Sequence, residues 1–176
     1  MEQFPDLPSA PATPQSLLAY LDALGIAHRS VSHPPLFTVE ESKALRGPLP
    51  GAHIKNLFLR DKKEKMWLLT ALESRQLDLK KLAGGLGANR LSFGSAERLA
   101  RYLGVQPGAV TPLAAINDRD RQVQVVLDAD IARHGLVNCH PLVNTQTTAL
   151  SPDDLLRFLR ATGHEPQLLD LTPFAP

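Results

Sequence analysis

HIKNLFLRDKKEKMWLLTAL, residues 53–72, decides the architecture. Ile54, Leu57 and Leu59 lie before a polar run of Arg60, Asp61, Lys62, Lys63, Glu64 and Lys65, and Trp67, Leu69 and Ala71 follow it. Two apolar segments around a short charged tip predict a β-hairpin. Apolar residues occur at both parities of each segment, so both faces of the hairpin should be covered. That expectation calls for a sheet inside the molecule, with packed elements on either side of it.

The neighbouring sequence supplies those elements. Thr13 is a helix N-cap with Pro14 at the first helical position, Leu17, Leu18, Leu21 and Leu24 share a face, and Gly25 ends the helix. Residues 26–32 read as a short strand, and His33-Pro34-Pro35 forces an extended turn. Thr38 with Glu41 matches a capping box for a short helix stopping at Gly47. Beyond the hairpin, residues 77–86 predict a helix, 91–93 a short strand, and Ser95 caps a helix with Leu99 and Leu103 inward. Residues 122–128 (QVQVVLD) predict a strong strand, 137–142 and 144–149 two more, and Ser151-Pro152-Asp153-Asp154 opens a helix ending at Gly163. Residues 168–171 add a last strand. Strands and helices are intermixed, which points to an α+β fold with a mixed sheet.

The chain has 176 residues, 43% of them hydrophobic, enough for one domain with a real core. Residues 1–12 are rich in proline and small side chains and read as a flexible arm, leaving 13–176 as the domain. The net charge of +1 gives no global basic field, so any nucleic-acid contact must come from a local patch. A lone cysteine, Cys139, excludes an intrachain disulfide and suits a reducing cytoplasm. No secretory leader is expected, and no segment approaches the roughly 20 apolar residues of a membrane span.

Several chemistries are unsupported. The six histidines form no HxxxH or HExxH pair, and one cysteine makes no CxxC, so no metal is expected. There is no GxSxG elbow. Cys139 and His140 are adjacent on a strand and point to opposite faces, so they are no dyad, and a buried structural cysteine is the favoured reading. Gly84-Gly85-Leu86-Gly87 lacks the Lys-Ser/Thr of a phosphate loop. The hairpin tip with Arg60, Lys62 and Lys63 reads by composition as a solvated turn. Its functional alternative is a phosphate-contacting prong, to which Lys80 and Lys81 could add. Lys55, between Ile54 and Asn56, either snorkels from an edge or enters a cleft, and spacing alone leaves the two equal. His140-Pro141 with Asn144 and Thr145 reads most simply as a satisfied turn. GVQPGAVTP, residues 104–112, packs two glycines and two prolines into nine residues and carries almost no reactive chemistry.

In order, these segments form a pattern: HPP at 33–35, GxHIKNLFLRDKK at 51–63, LSFGSxERL at 91–99, LGVxPGxVTP at 103–112, VxxVLD, and HPLxNTxT at 140–147. The pattern resembles the free-standing bacterial prolyl-tRNA deacylases of the YbaK/ProX superfamily, most closely the ProXp-ala (PrdX) type. The likeness runs from about residue 17 to about residue 171. It implies a mixed, largely antiparallel, barrel-like sheet flanked by helices in one domain. It also implies hydrolysis of the ester between a misattached amino acid, typically alanine, and the 3′ adenosine of proline tRNA. Lys55, Gly108 and His140 become the implied catalytic positions. Asn56, Ala109, Val110, Thr111, Pro112 and Asn144 become substrate-binding positions, with Arg60, Lys62, Lys63, Lys80 and Lys81 toward tRNA. No cofactor is implied. The implied partner is an aminoacylated tRNA, together with prolyl-tRNA synthetase or an elongation factor, and the implied state is a cytoplasmic monomer.

The chemistry is consistent with such a site. An aminoacyl ester is already activated, so an enzyme need only hold it, exclude the wrong acyl group and steady the oxyanion. Main-chain N–H groups in a rigid Gly/Pro turn can do the last without a reactive side chain. Water could be activated with help from the substrate's own ribose hydroxyl. Two alternatives stay open: a cysteinyl-tRNA deacylase on the same scaffold, and a non-catalytic module that binds tRNA or a synthetase.

Overall fold

The computed structural model describes residues 2–35 and 49–176. The helix expected from Thr38 and Glu41 falls outside them. Helix α1 (Pro14–Ala23) starts at Thr13, whose hydroxyl accepts the Ser16 amide while Ser16 answers the Thr13 amide. Then follow β1 (Arg29–Ser32), β2 (Ala52–Arg60) and β3 (Met66–Leu72). Next come α2 (Leu79–Leu86), β4 (Ser92–Phe93) and α3 (Ala96–Leu103). After α3 the chain makes a 3₁₀ turn (Pro112–Asn117), β5 (Val123–Asp128) and a second 3₁₀ turn (Ala129–Arg133). It ends with β6 (Val137–Cys139), β7 (Gln146–Leu150), α4 (Pro152–Ala161) and β8 (Gln167–Leu169), and a last 3₁₀ turn (Thr172–Phe174).

The hairpin forms as its sequence predicts, with Arg60 opposite Met66 and Ile54 opposite Leu72. It is the centre of one mixed sheet, ordered β1-β7-β6-β2-β3-β5-β8, with β4 added beside β2. The β1/β7, β7/β6, β2/β3 and β2/β4 pairs are antiparallel, and β6/β2, β3/β5 and β5/β8 are parallel. The fold is α+β in a single domain. The strands β1 and β8 end the order unpaired with each other, so the barrel-like curvature stops short of a closed barrel.

Both hairpin faces are covered. Phe58, Met66 and Leu68 enter the main core with Leu17, Leu21, Leu99, Leu103, Val125 and Phe158. Leu59, Trp67, Leu69 and Ala71 enter a smaller core with Leu82, Val126 and Leu171. Full burial of one such leucine is worth roughly 1.5–3 kcal/mol over leaving it exposed, so the two-sided coverage fixes the register. A one-residue slip would exchange the two apolar sets.

Several boundaries differ from the sequence expectation. The strand expected over 137–142 stops at Cys139, because Pro141 has no N–H and Leu142 adopts φ 70°. The helix expected from 77 starts at Leu79, where the Asp78 carboxylate caps the Lys80 and Lys81 amides. Residues 2–12 have no regular structure and run along the body. Phe4 and Leu7 pack on the main core, and the Pro5 carbonyl accepts the Tyr20 hydroxyl at 2.9 Å. Asn117 takes the Ala12 amide at 2.7 Å.

Candidate functional site

The β2 strand brings Lys55 to the point where β6 and β3 flank it. Ala52 and His53 pair with Val137 and Asn138 of β6, and Lys55 pairs with Ala71 of β3. The β2/β6 ladder ends at His53 and Asn138, β6 itself ends at Cys139, and His140 follows it directly. Strand alternation puts Lys55 on the face of Leu57 and Leu59, and Asn56 on the face of Ile54 and Phe58.

Lys55 is half-buried, and its ammonium donates to the main-chain carbonyl of Arg75. Burial, followed by the nearby Arg75 guanidinium, pulls its pKa below the ordinary lysine value. Neither sequence reading of Lys55 anticipated this anchor. Arg75 is itself clamped: Nε and Nη2 donate to Asp128 at 2.9 and 3.2 Å, and Nη2 also donates to Asp130. Asp128 further accepts the amides of Leu72 at 3.1 Å and Asp130 at 3.0 Å. A buried carboxylate therefore pins the turn whose carbonyl holds Lys55. Asn56 accepts the Thr70 hydroxyl at 2.6 Å, which leaves its amide N–H groups as donors.

His140 is the second chemical group. Its Nδ1 lies 3.0 Å from the Gln146 carbonyl, an acceptor only, so Nδ1 carries a proton. Burial and then the His33 ring lower its pKa, against an upward pull from that carbonyl. His140 is thus a neutral imidazole near pH 7, with an Nε2 lone pair available. The rings of His33 and His140 are 6.3 Å apart, and His33 Nε2 meets the Thr147 hydroxyl at 2.8 Å. Asn144 is half-buried in the bend that follows. On the outer face of β1, β7 and β6, Val31, Thr147, Ala149, Asn138, Pro50 and Leu136 line a mostly apolar cleft of about 400 Å³. Cys139 points to the main core instead, and burial pushes its thiol up to about 12, so it is inert.

Loop 108–112 is held from below. Gly108 has φ 91°, a region that favours glycine. The Ala109 amide turns back to Gln106 at 3.0 Å, and buried Thr111 accepts the Leu113 amide with its hydroxyl. Pro112 opens the 3₁₀ turn, which sinks Leu113, Ala114, Ala115 and Ile116 into the main core. Val110 packs at the rim of that core. Among the described residues, no hydrogen bond or ion pair joins this loop to Lys55 or His140.

The five basic residues are not equivalent. Arg60 pairs with Glu64 at 2.9 Å, and Lys81 donates to the Ala175 carbonyl at 2.9 Å. Lys62 and Lys80 line one cleft, and Lys63 is exposed at the tip. Arg75, Asp128, Asp130 and His33 were not assigned as site residues from the sequence. Only the acid closing the VxxVLD strand hinted at Asp128, because its partner Arg75 is 53 residues away.

The fold carries an ammonium, a neutral imidazole and a rigid Gly/Pro loop. The family described as the aminoacyl-tRNA editing domain matches residues 33–158. The chain belongs to that family, and it is a hydrolase of the aminoacyl-tRNA deacylase class. Prolyl-tRNA synthetase associated domain-containing protein 1 of Xenopus laevis is 42% identical over 160 residues, covering 88% of this chain and 95% of the relative. Prolyl-tRNA editing protein ProX of Acetoanaerobium sticklandii is 35% identical over 158 residues, covering 89% and 96%. A crystal structure described as a candidate trans-editing enzyme for prolyl tRNA synthetase shares the fold. Its TM-score is 0.67 at 21% identity, over 89% of this chain and 96% of that one.

Proposed function

We propose that the chain removes misattached alanine from proline tRNA by hydrolysing the ester to the 3′ adenosine. The observation that carries this reading is an anchored ammonium, Lys55, on β2 together with a neutral imidazole, His140, directly after β6, the strand that pairs with the start of β2. The printed name of the Acetoanaerobium sticklandii relative supports a prolyl-tRNA substrate.

In this reading Lys55 grips a phosphate or ribose oxygen of the terminal nucleotide and places the ester. Water attacks the carbonyl carbon, with the adjacent ribose hydroxyl assisting and His140 Nε2 accepting its proton. Main-chain N–H groups of loop 108–112 meet the oxyanion. Since the Ala109 amide is committed to Gln106, the amides of Gly108 and Val110 are the donors assigned. The ester C–O bond then breaks, the ribose oxygen takes the proton held by His140, and the amino acid leaves as a carboxylate with its remaining acid proton passing to solvent. Asn56, Thr111, Pro112 and Asn144 shape the substrate's surroundings, and Lys63 reaches toward RNA from the hairpin tip.

Alanine and proline differ by a few methylenes, and attraction alone separates such pairs by only about 1–3 kcal/mol. Steric exclusion of the larger ring discriminates better. The cleft of about 400 Å³ has the size of a small-molecule site and is too large to reject proline by itself. Exclusion must come from side chains next to the ester. The names of the vertebrate relatives support prolyl-tRNA synthetase as a partner, and an elongation factor is the other partner proposed, for a monomer acting in the cytoplasm.

The test is a deacylation panel on proline tRNA charged with alanine, cysteine, serine or proline. Alanine should be released fastest, and Lys55→Ala should lower that rate about a hundredfold, as loss of one positioned donor does. Full activity in Lys55→Ala sinks its role. Equal rates for alanine and proline sink size exclusion. Fastest release of cysteine means the sibling specificity, and no release of any acyl group means a binding module.

A further inference from the structure

The hairpin tip and the segment after α2 enclose a second cleft, of about 610 Å³, away from Lys55. Lys62, Lys80, Asn89 and Arg90 line it above Leu79 and Leu91. Arg90 carried no role in the sequence reading. The cleft is built by a buried acid. Asp61, 2% exposed, accepts the amides of Lys63 at 2.9 Å and Lys65 at 3.0 Å with one oxygen. Its other oxygen takes the Asn89 amide at 3.4 Å. That carboxylate ties the turn bearing Lys62 to the segment bearing Arg90, and the Asp78 cap fixes the start of α2 bearing Lys80.

The fold engages Arg60, Arg98 and Lys81 near this cleft and leaves these three free. Glu64 pairs with Arg60 at 2.9 Å and with Arg98 at 2.7 Å, and Lys81 is held by Ala175. Among the described residues, the side chains of Lys62, Lys80 and Arg90 make no ion pair or hydrogen bond. The two nearby acids, Asp61 and Asp78, are occupied by backbone amides. Two residues after Leu91 of the cleft lining, Phe93 on β4 is 61% exposed and joins neither core. Converging unpaired cations next to an exposed aromatic ring suit a nucleic-acid chain, whose phosphates take the charges and whose bases or sugars take the ring.

We propose that the Lys62–Lys80–Arg90 cleft binds the phosphodiester backbone of the acceptor stem of the RNA whose 3′ ester is cut. The placement rests on the editing reading above. The strand from Lys55 to Arg60 advances five residues, about 17 Å at 3.3 Å each. The turn carries Lys62 further still, a distance the unpaired 3′ end of a tRNA can span. An ester at Lys55 therefore delivers the first paired phosphates to this cleft. The same geometry separates Arg60 and Lys81, whose side chains are already bonded, from the three that line this cleft.

The experiment compares the full chain with Lys62→Ala, Lys80→Ala, Arg90→Ala and the triple variant, with Arg160→Ala, an exposed arginine paired to Glu165, as control. Uncharged proline tRNA is titrated by fluorescence anisotropy across a salt series. Each single variant should lower the slope of log K against log salt by roughly 0.7–0.9, and the triple variant by about 2–3. The triple variant should also lower the ratio of kcat/KM on alanyl-tRNA to kcat/KM on an alanyl ester of the terminal trinucleotide, by about tenfold or more. An unchanged slope in the triple variant overturns the proposal, as does an equal loss in Arg160→Ala. So does a wild-type chain that cuts both esters with one kcat/KM, an outcome that leaves the editing reading standing. If the wild type cuts neither ester yet shows the salt slopes, the editing reading falls and the RNA cleft stands.

Discussion

Asp128→Asn tests the network behind Lys55 most directly. Asp128 is 1% exposed and receives four donors: Nε and Nη2 of Arg75, and the amides of Leu72 and Asp130. Asparagine keeps the shape, removes the charge and turns one acceptor into a donor facing other donors. Removing one partner of a buried ion pair costs about 3–5 kcal/mol. The Arg75 side chain is 15% exposed and retains Asp130, so the lower end applies and we expect about 3 kcal/mol. Domains of this size carry about 5–15 kcal/mol, so the variant should fold at 25 °C with a lower urea midpoint. Trp67, the only tryptophan and 1% exposed, reports unfolding by fluorescence from the smaller core. Activity should fall as well, because the turn that presents the Arg75 carbonyl to Lys55 loses its pin. Arg75→Met in the same background separates the two causes: if the cost is an uncompensated guanidinium, the double variant regains part of the loss. A loss below about 1 kcal/mol, or a double variant no better than Asp128→Asn, would refute the buried-pair argument.

Further outcomes follow from single contacts. Gly51 has φ 99°, and a Cβ there would stand 2.8 Å from the Leu136 carbonyl oxygen, just where the Ala52 amide bonds that oxygen at 2.8 Å. Gly51→Ala should cost at least about 2 kcal/mol in urea unfolding and loosen the β2/β6 pairing, and an unchanged midpoint would contradict it. His140 titrates below its ordinary value, so the unfolded chain takes up a proton first as pH falls. Stability is unaffected above about pH 6.5 and declines below it, down to the folded value. The acid limb of kcat/KM should therefore lie below about 6.5. His33→Asn removes the ring that helps lower the His140 pKa, so that limb should move up, and a downward or absent shift would remove His33 from the electrostatics of the site.

What the sequence disclosed depended on how local the determining forces are. The hairpin was legible because its signal, apolar residues at both parities around a charged tip, is complete within 20 contiguous residues. The caps at Thr13, Ser95 and Ser151 were legible for the same reason, since each acts within three residues. The parallel ladders were not legible. The β3/β5 and β2/β6 pairs join segments more than fifty residues apart, and no periodicity within one strand names its neighbour.

The site divides along that line. Lys55 was visible as a polar intrusion in an apolar strand, but its two readings stayed equal because the deciding atom belongs to another turn. That atom is the Arg75 main-chain carbonyl, and the carboxylate that fixes it comes from β5. The basic residues behaved alike: composition could count their charges but not see Glu64 or Ala175 engaging two of them. The stretch 104–112 is the converse case. Its glycines and prolines were plain from the sequence, and its hydroxyl, on Thr111, proves to be occupied in capping the next turn. A loop with no free nucleophile, seated on a buried 3₁₀ turn, has only its main chain to offer a substrate. In the proposed reading, an ester that water already attacks needs no more than a rigid main chain, an anchored ammonium and a neutral imidazole.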